Sequence, residues 1–174
     1  MKGLIHLYCG DGKGKTTAAV GLAVRCAGGG GKVLYASFLK DNRSGERAVL
    51  DSLENVCLIE NPDCVKFLRS MTEKEKSEYR SFCCKTFENI KTMISNEHFD
   101  LLILDEIIAA VNNSLIDEDE VINLTNNRPD GLEIVMTGRN PSEKLIELSD
   151  YVTEMKKIKH PYDKGISARK YIEM

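Results

Sequence analysis

The chain has no tryptophan, only three histidines, and no pair of cysteines spaced as C-x-x-C. A zinc site is therefore not expected, because its usual ligand spacing is missing. No apolar run is long enough to cross a bilayer. Neither sign of charge dominates: the net charge is −3, which predicts no general attraction to nucleic acid or to an anionic membrane surface. There is no internal repeat, no low-complexity tract and no linker-like stretch. The 174 residues are thus read as one domain spanning 1–174, with room for one sizeable core. Apolar residues make up 42% and charged residues 29%, ordinary for a folded soluble protein. The first apolar strand begins almost at Met1, so no signal peptide is expected. The six cysteines (Cys9, Cys26, Cys57, Cys64, Cys83, Cys84) are read as free thiols of a reduced, cytoplasmic protein.

Apolar runs alternate with helical patterns. Strands are predicted at Leu4–Tyr8, Val33–Phe38, Val56–Glu60, Leu101–Leu104, Glu133–Thr137 and Tyr151–Glu154, with another at Lys170–Ile172. Several are apolar on both faces, as in a parallel sheet covered on both sides. Helices are predicted at Lys15–Ala27, Gly45–Glu54, Thr72–Glu97, Glu118–Asn126 and Ser142–Leu148. Thr72 and Glu75 form a capping box, and Tyr79, Phe82, Cys83, Phe87, Ile90 and Ile94 then recur on one helical face as core. This alternation predicts a three-layer α/β fold with a mostly parallel sheet.

Residues 10–17 read Gly-Asp-Gly-Lys-Gly-Lys-Thr-Thr, between the first strand and the first helix. A strand, a glycine-rich turn and a helix opening on Lys-Thr form a phosphate-binding loop. Its backbone N–H groups can curl around phosphate oxygens, Lys15 can reach the terminal phosphates, and the Thr16 hydroxyl can be offered to Mg²⁺. The generic pattern wants glycine where Cys9 stands, which suggests that the phosphates sit unusually. The strand Leu101–Leu104 runs into Asp105 and Glu106, candidate Mg²⁺ ligands, and is expected to lie beside the first strand. Lys40 follows the second strand and leads into a polar loop at 41–44. Thr137-Gly138-Arg139 follows the fifth, and Arg139 can fork onto phosphate or carboxylate oxygens. All these residues fall at the carboxyl ends of strands, the edge where open α/β sheets bind ligands. His160 lies in a loop before a proline, where either a solvated or a ligand-facing role is open.

These pieces, in order, resemble the phosphate-loop class of ATP:corrinoid adenosyltransferases, with a P-loop NTPase (RecA-like) fold. The matching residues are 10–19, Arg25, Phe38-Leu39-Lys40 with Gly45-Glu46, Leu104-Asp105-Glu106, Arg128-Pro129 and Thr137-Gly138-Arg139. A last block runs from Asp150 through Thr153-Glu154-Met155, Lys159-His160-Pro161 and Asp163-Lys164-Gly165-Ile166 to Ala168. That family also lacks glycine at the Cys9 slot. The resemblance implies attack of Co(I) of a reduced corrinoid on the 5′ carbon of ATP, giving adenosylcobalamin and tripolyphosphate. It implies Lys15, Thr16 and Glu106 as the central residues, and Thr16 with Glu106, or Asp105, as ligands of Mg²⁺ (or Mn²⁺). Gly10, Asp11, Gly12, Lys13, Gly14, Lys15, Thr16, Thr17, Arg25, Lys40 and Arg139 are the implied substrate-binding set, with Arg25 near the nucleoside. It further implies a homodimer and an electron donor that reduces the cobalt. Longer members carry a helix before the first strand and can place a Phe and a Trp after the third. Here the chain begins at the strand and Phe67 matches the Phe. By the residues alone, a kinase or ATPase acting on the terminal phosphate, or a non-catalytic ATP- or corrinoid-binding module, remains open.

Overall fold

In the computed structural model, residues 2–66 and 68–173 are described; Phe67, matched to the Phe that family members carry after the third strand, lies outside them. Six strands form one parallel sheet: β1 Ile5–Cys9, β2 Val33–Ser37, β3 Val56–Leu58, β4 Leu101–Asp105, β5 Glu133–Thr137 and β6 Tyr151–Glu154. Their order is β3-β2-β4-β5-β1-β6. The helices are α1 Lys15–Gly28, α2 Gly45–Asp51, α3 Glu73–Asn96, α4 Ile107–Asn112, α5 Glu118–Asn126 and α6 Glu143–Leu148, with short 3₁₀ turns at Leu68–Ser70 and Pro161–Lys164.

The three layers follow from strand alternation, since successive side chains point to opposite faces. Val33, Tyr35, Leu101, Ile103 and Val135 face one way and pack with Ala19 and Ala23 of α1 and Leu50 of α2. Leu34, Ala36, Leu102, Leu104, Ile134 and Met136 face the other way, under α3, α4, α5 and α6. The capping box at Thr72 is formed, with the Glu75 N–H donating to the Thr72 hydroxyl and the Thr72 N–H to the Glu75 carboxylate. The C-cap Gly29 ends α1, its N–H donating to the carbonyls of Arg25 and Cys26.

Three expectations need correction. β4 does not lie beside β1, because β5 is inserted between them and pairs with both. Helix α4 was not foreseen: its six residues, Ile-Ile-Ala-Ala-Val-Asn, are too short and too uniformly apolar to show a 3.6-residue period. Residues 170–172 form a turn rather than a strand, closed by hydrogen bonds from Ile172 N–H and Glu173 N–H to the Arg169 carbonyl.

Candidate functional site

The insertion of β5 still leaves β1, β4, β5 and β2 ending at one edge, and a cleft of about 1070 Å³ opens there. It is lined by residues 11–17 of the loop together with Lys40, Glu106, Arg139 and His160. Of the residues named from sequence, the structure brings Asp11, Gly12, Lys13, Gly14, Lys15, Thr16, Thr17, Lys40, Glu106 and Arg139 to one cleft. Gly10 turns the chain into it with φ 94°. Arg25 is the exception. It sits in the exposed last turn of α1, ten residues beyond Lys15, which puts it about 15 Å along the helix axis from the loop.

The loop's glycines answer to a close neighbour. The Gly12 N–H donates to the Met155 carbonyl at 2.6 Å, and a Cβ on Gly12 would lie 2.5 Å from that same oxygen. The chain after β6 thus clamps the loop, and only glycine fits at position 12. Asp11 adds to the clamp by accepting from the Lys157 N–H at 3.1 Å, and that bond lowers the Asp11 pKa. Lys15 Nζ donates to the Gly12 carbonyl at 2.7 Å. Burial, and then the nearby Arg139, lower the Lys15 pKa. No acidic residue stands in the first turn of α1, so its positive end is not neutralised from within the helix.

Behind the loop lies a buried polar knot around Asp105, a fully enclosed carboxylate. It accepts from the Thr16 hydroxyl at 3.0 Å, the Thr137 hydroxyl at 2.7 Å, the Tyr35 hydroxyl at 3.3 Å and Lys40 Nζ at 2.7 Å. Both carboxylate oxygens are engaged. Lys40 Nζ also donates to the Thr16 hydroxyl at 3.1 Å and to Glu46 at 3.4 Å. Burial pulls the Lys40 pKa down, but Asp105, Glu106 and Glu46 together more than offset this, so Lys40 stays above the ordinary lysine value. Burial and Asp105 push the Tyr35 phenol up, keeping it a hydrogen-bond donor.

Glu106 stands differently. Its backbone turns sharply at φ 60°, held by its N–H donating to the Thr137 hydroxyl at 2.8 Å, and its carboxylate lines the cleft. Burial raises its pKa to about 7 against opposing pulls from Lys40 and Lys15. A carboxylate that costs this much to ionise is suited to meeting a cation. The donor set of Thr16 hydroxyl, Glu106 and the Asp105 carboxylate behind them is oxygen-only and anionic, the chemistry Mg²⁺ prefers. It already gathers an ammonium, that of Lys40. The residues therefore fit a divalent cation.

Sequence reasoning missed four contributors. Tyr35 and Tyr79 read as core, yet Tyr35 touches Asp105, and the Tyr79 hydroxyl accepts from the Leu39 N–H at 2.9 Å. That contact fixes Leu39, at φ 59°, just before Lys40. Asn112 of the unforeseen α4 donates to the carbonyls of Arg139 and Asn140, shaping the turn after β5. Glu173 reaches Lys13 from the far end of the chain. No periodicity or motif marks any of the four as part of a site; the helical stripe that holds Tyr79 marks it only as core. Conversely, Arg128, part of a matching block, is buried away from the cleft, donating to the carbonyls of Thr125 and Gly3.

Comparison with known proteins agrees with this geometry. The solved KaiC-like protein PH0186 from Pyrococcus horikoshii superposes with a TM-score of 0.51 over 89% of this chain and 73% of its own, at 14% identity, a likeness of fold. The corrinoid adenosyltransferase of Escherichia coli K12 is 31% identical over 97% of this chain and 84% of its own length. One from Sinorhizobium sp. is 34% identical over 99% and 80%. The family model described as ATP:corrinoid adenosyltransferase BtuR/CobO/CobP matches residues 1–174. The chain belongs to the ATP:corrinoid adenosyltransferase BtuR/CobO/CobP family.

Proposed function

We propose that this protein is a transferase that moves the 5′-deoxyadenosyl group of ATP onto the Co(I) of a reduced corrinoid, acting as one domain over residues 1–174. The observation that carries the reading is that the loop, Lys15, Thr16, Glu106, Lys40 and Arg139 line one cleft in a chain of this family. A module that had lost its chemistry has no need to keep a costly buried carboxylate beside such a loop.

The reaction is a displacement. The Co(I) electron pair forms a bond to C5′, the C5′–oxygen bond breaks, and tripolyphosphate leaves with the electron pair of that broken bond. Cobalt ends formally as Co(III). No proton moves, so no general base is needed, and the protein's work is positioning and charge stabilisation. The N–H groups of 13–17 with Lys13 and Lys15 would grip the triphosphate and hold C5′ toward the corrinoid, while the Gly12 N–H is spent on the Met155 carbonyl. Asp105, with its oxygens engaged, orients the Thr16 hydroxyl and Lys40. Thr16 and Glu106 would hold Mg²⁺ or Mn²⁺, which supplies positive charge to the departing polyphosphate. Arg139, exposed at the rim, would meet the bound ligands from the open side.

A homodimer, a separate electron donor for the cobalt and a reducing cytoplasmic setting complete the proposal. The last is consistent with six free cysteines. Among the described residues no helix is long and apolar enough to cross a membrane. The test is the fate of the phosphates. Phosphorus NMR of an anaerobic mixture with Mg-ATP and chemically reduced cobalamin should show tripolyphosphate. ADP or inorganic phosphate in its place overturns the proposal in favour of phosphoryl transfer.

A further inference from the structure

The carboxyl-terminal turn lies across the mouth of the cleft. Tyr171, Ile172 and Glu173 line the same cavity as the phosphate loop. Glu173 is near the very end of the chain, yet its side chain is only 23% exposed. One carboxylate oxygen accepts from Lys13 Nζ at 2.9 Å and from Arg169 Nη2 at 2.8 Å. The other accepts from the Arg169 N–H at 2.9 Å and from Arg169 Nε at 3.1 Å. A carboxylate and a phosphate share a charge sign and present similar acceptor oxygens, so both suit the same ammonium.

Resting on the reading of Lys13 as a polyphosphate ligand, we propose that residues 169–173 form a strap that closes the phosphate cradle through Glu173 and has to be displaced for a polyphosphate to bind. The strap is built to open. Apart from the Glu173 side chain its residues are exposed, and among the described residues two backbone hydrogen bonds, from Ile172 and Glu173 to Arg169, close its turn. Segments with few buried contacts open at low cost. Opening frees two cations at once, Lys13 and Arg169, at the mouth through which a highly charged anion enters. The closed strap shields Lys13 and places a negative charge where the anion must come.

The probe is inorganic tripolyphosphate, titrated calorimetrically into the wild-type chain, Glu173→Gln and Glu173→Ala, both of which keep Arg169 and Lys170. Removing an exposed like charge a few ångströms from the bound anion should tighten binding about threefold to fivefold. Both variants should show this gain at low salt, and it should shrink in 0.5 M NaCl, where the Debye length is only about 4 Å. Wild type binding tripolyphosphate with variants of equal or weaker affinity overturns the strap alone. If no chain binds it, the reading of the loop as a polyphosphate cradle falls, and the strap with it. A Glu173 variant that binds where the wild type does not supports the strap most strongly.

Discussion

Replacing Glu106 with glutamine should make the ligand-free protein more stable and less able to use its metal. Burial raises the Glu106 carboxyl from its usual value of 4.5 to about 7. At about 1.4 kcal/mol per pH unit, the ionised form is penalised by roughly 3 kcal/mol. Glutamine is polar too and must also be desolvated, and water reaches part of the site, so a net gain of about 1–2 kcal/mol at pH 8 is expected. For a chain of this length that is a rise of about 3–6 °C in Tm. The sign follows from proton binding. Between pH 4.5 and 7 the folded wild type holds a proton that the unfolded chain has released, so its stability falls as pH rises through that window. Glu106→Gln lacks this term, and the two melting curves should converge near pH 4.5 and separate up to pH 7. The assay is thermal melting monitored by circular dichroism across pH 4.5–8, then repeated at pH 8 with Mg²⁺ and ATP. Ligand should stabilise the wild type by several degrees and the variant far less. A variant less stable than wild type at pH 8, or one with the same pH slope, refutes the reasoning.

Other substitutions separate the parts of the site. Lys15→Ala should keep its melting profile but lose about 100-fold or more in turnover, as when one preorganised donor is removed; a folded, active variant means the loop is not the site. Thr137→Val removes the donor to Asp105 and the acceptor that holds the Glu106 N–H, both below 3 Å. It should cost about 1–2 kcal/mol in urea unfolding and weaken Mn²⁺ binding followed by electron paramagnetic resonance. Arg128→Met leaves the buried carbonyls of Gly3 and Thr125 unpaired. It should lower stability by about 2 kcal/mol while leaving the ATP Kd unchanged, because Arg128 is remote from the cleft.

Much of this site is legible in the sequence because its grammar is local. An apolar strand, a glycine turn and a Lys-Thr helix start announce the loop, and carboxylates or an arginine at strand ends announce the sheet edge. The glycines at 10 and 12 belong to this grammar for a reason found only in space, the approach of the Met155 carbonyl. What is not legible is tertiary. The place of β5 between β1 and β4 follows from strand pairing, which no single strand's pattern encodes. Tyr35 and Tyr79 look like core because they are core, and only their hydroxyls reach the site. Tyr171-Ile172 reads as a strand fragment, but Arg169 and Glu173 bind each other and fold it into a turn. Arg25, drawn in by resemblance alone, lies on an exposed helix end.

The central claim is that the loop grips a leaving group rather than a group to be transferred. Protein, Mg-ATP and cobalamin reduced to Co(I) are mixed without oxygen while the Co(I) absorbance is followed. The account predicts that the absorbance decays only when ATP is present, yields a light-sensitive alkylated corrinoid, and releases one tripolyphosphate per cobalt consumed. Persistence of the Co(I) spectrum while the protein demonstrably binds ATP would contradict it.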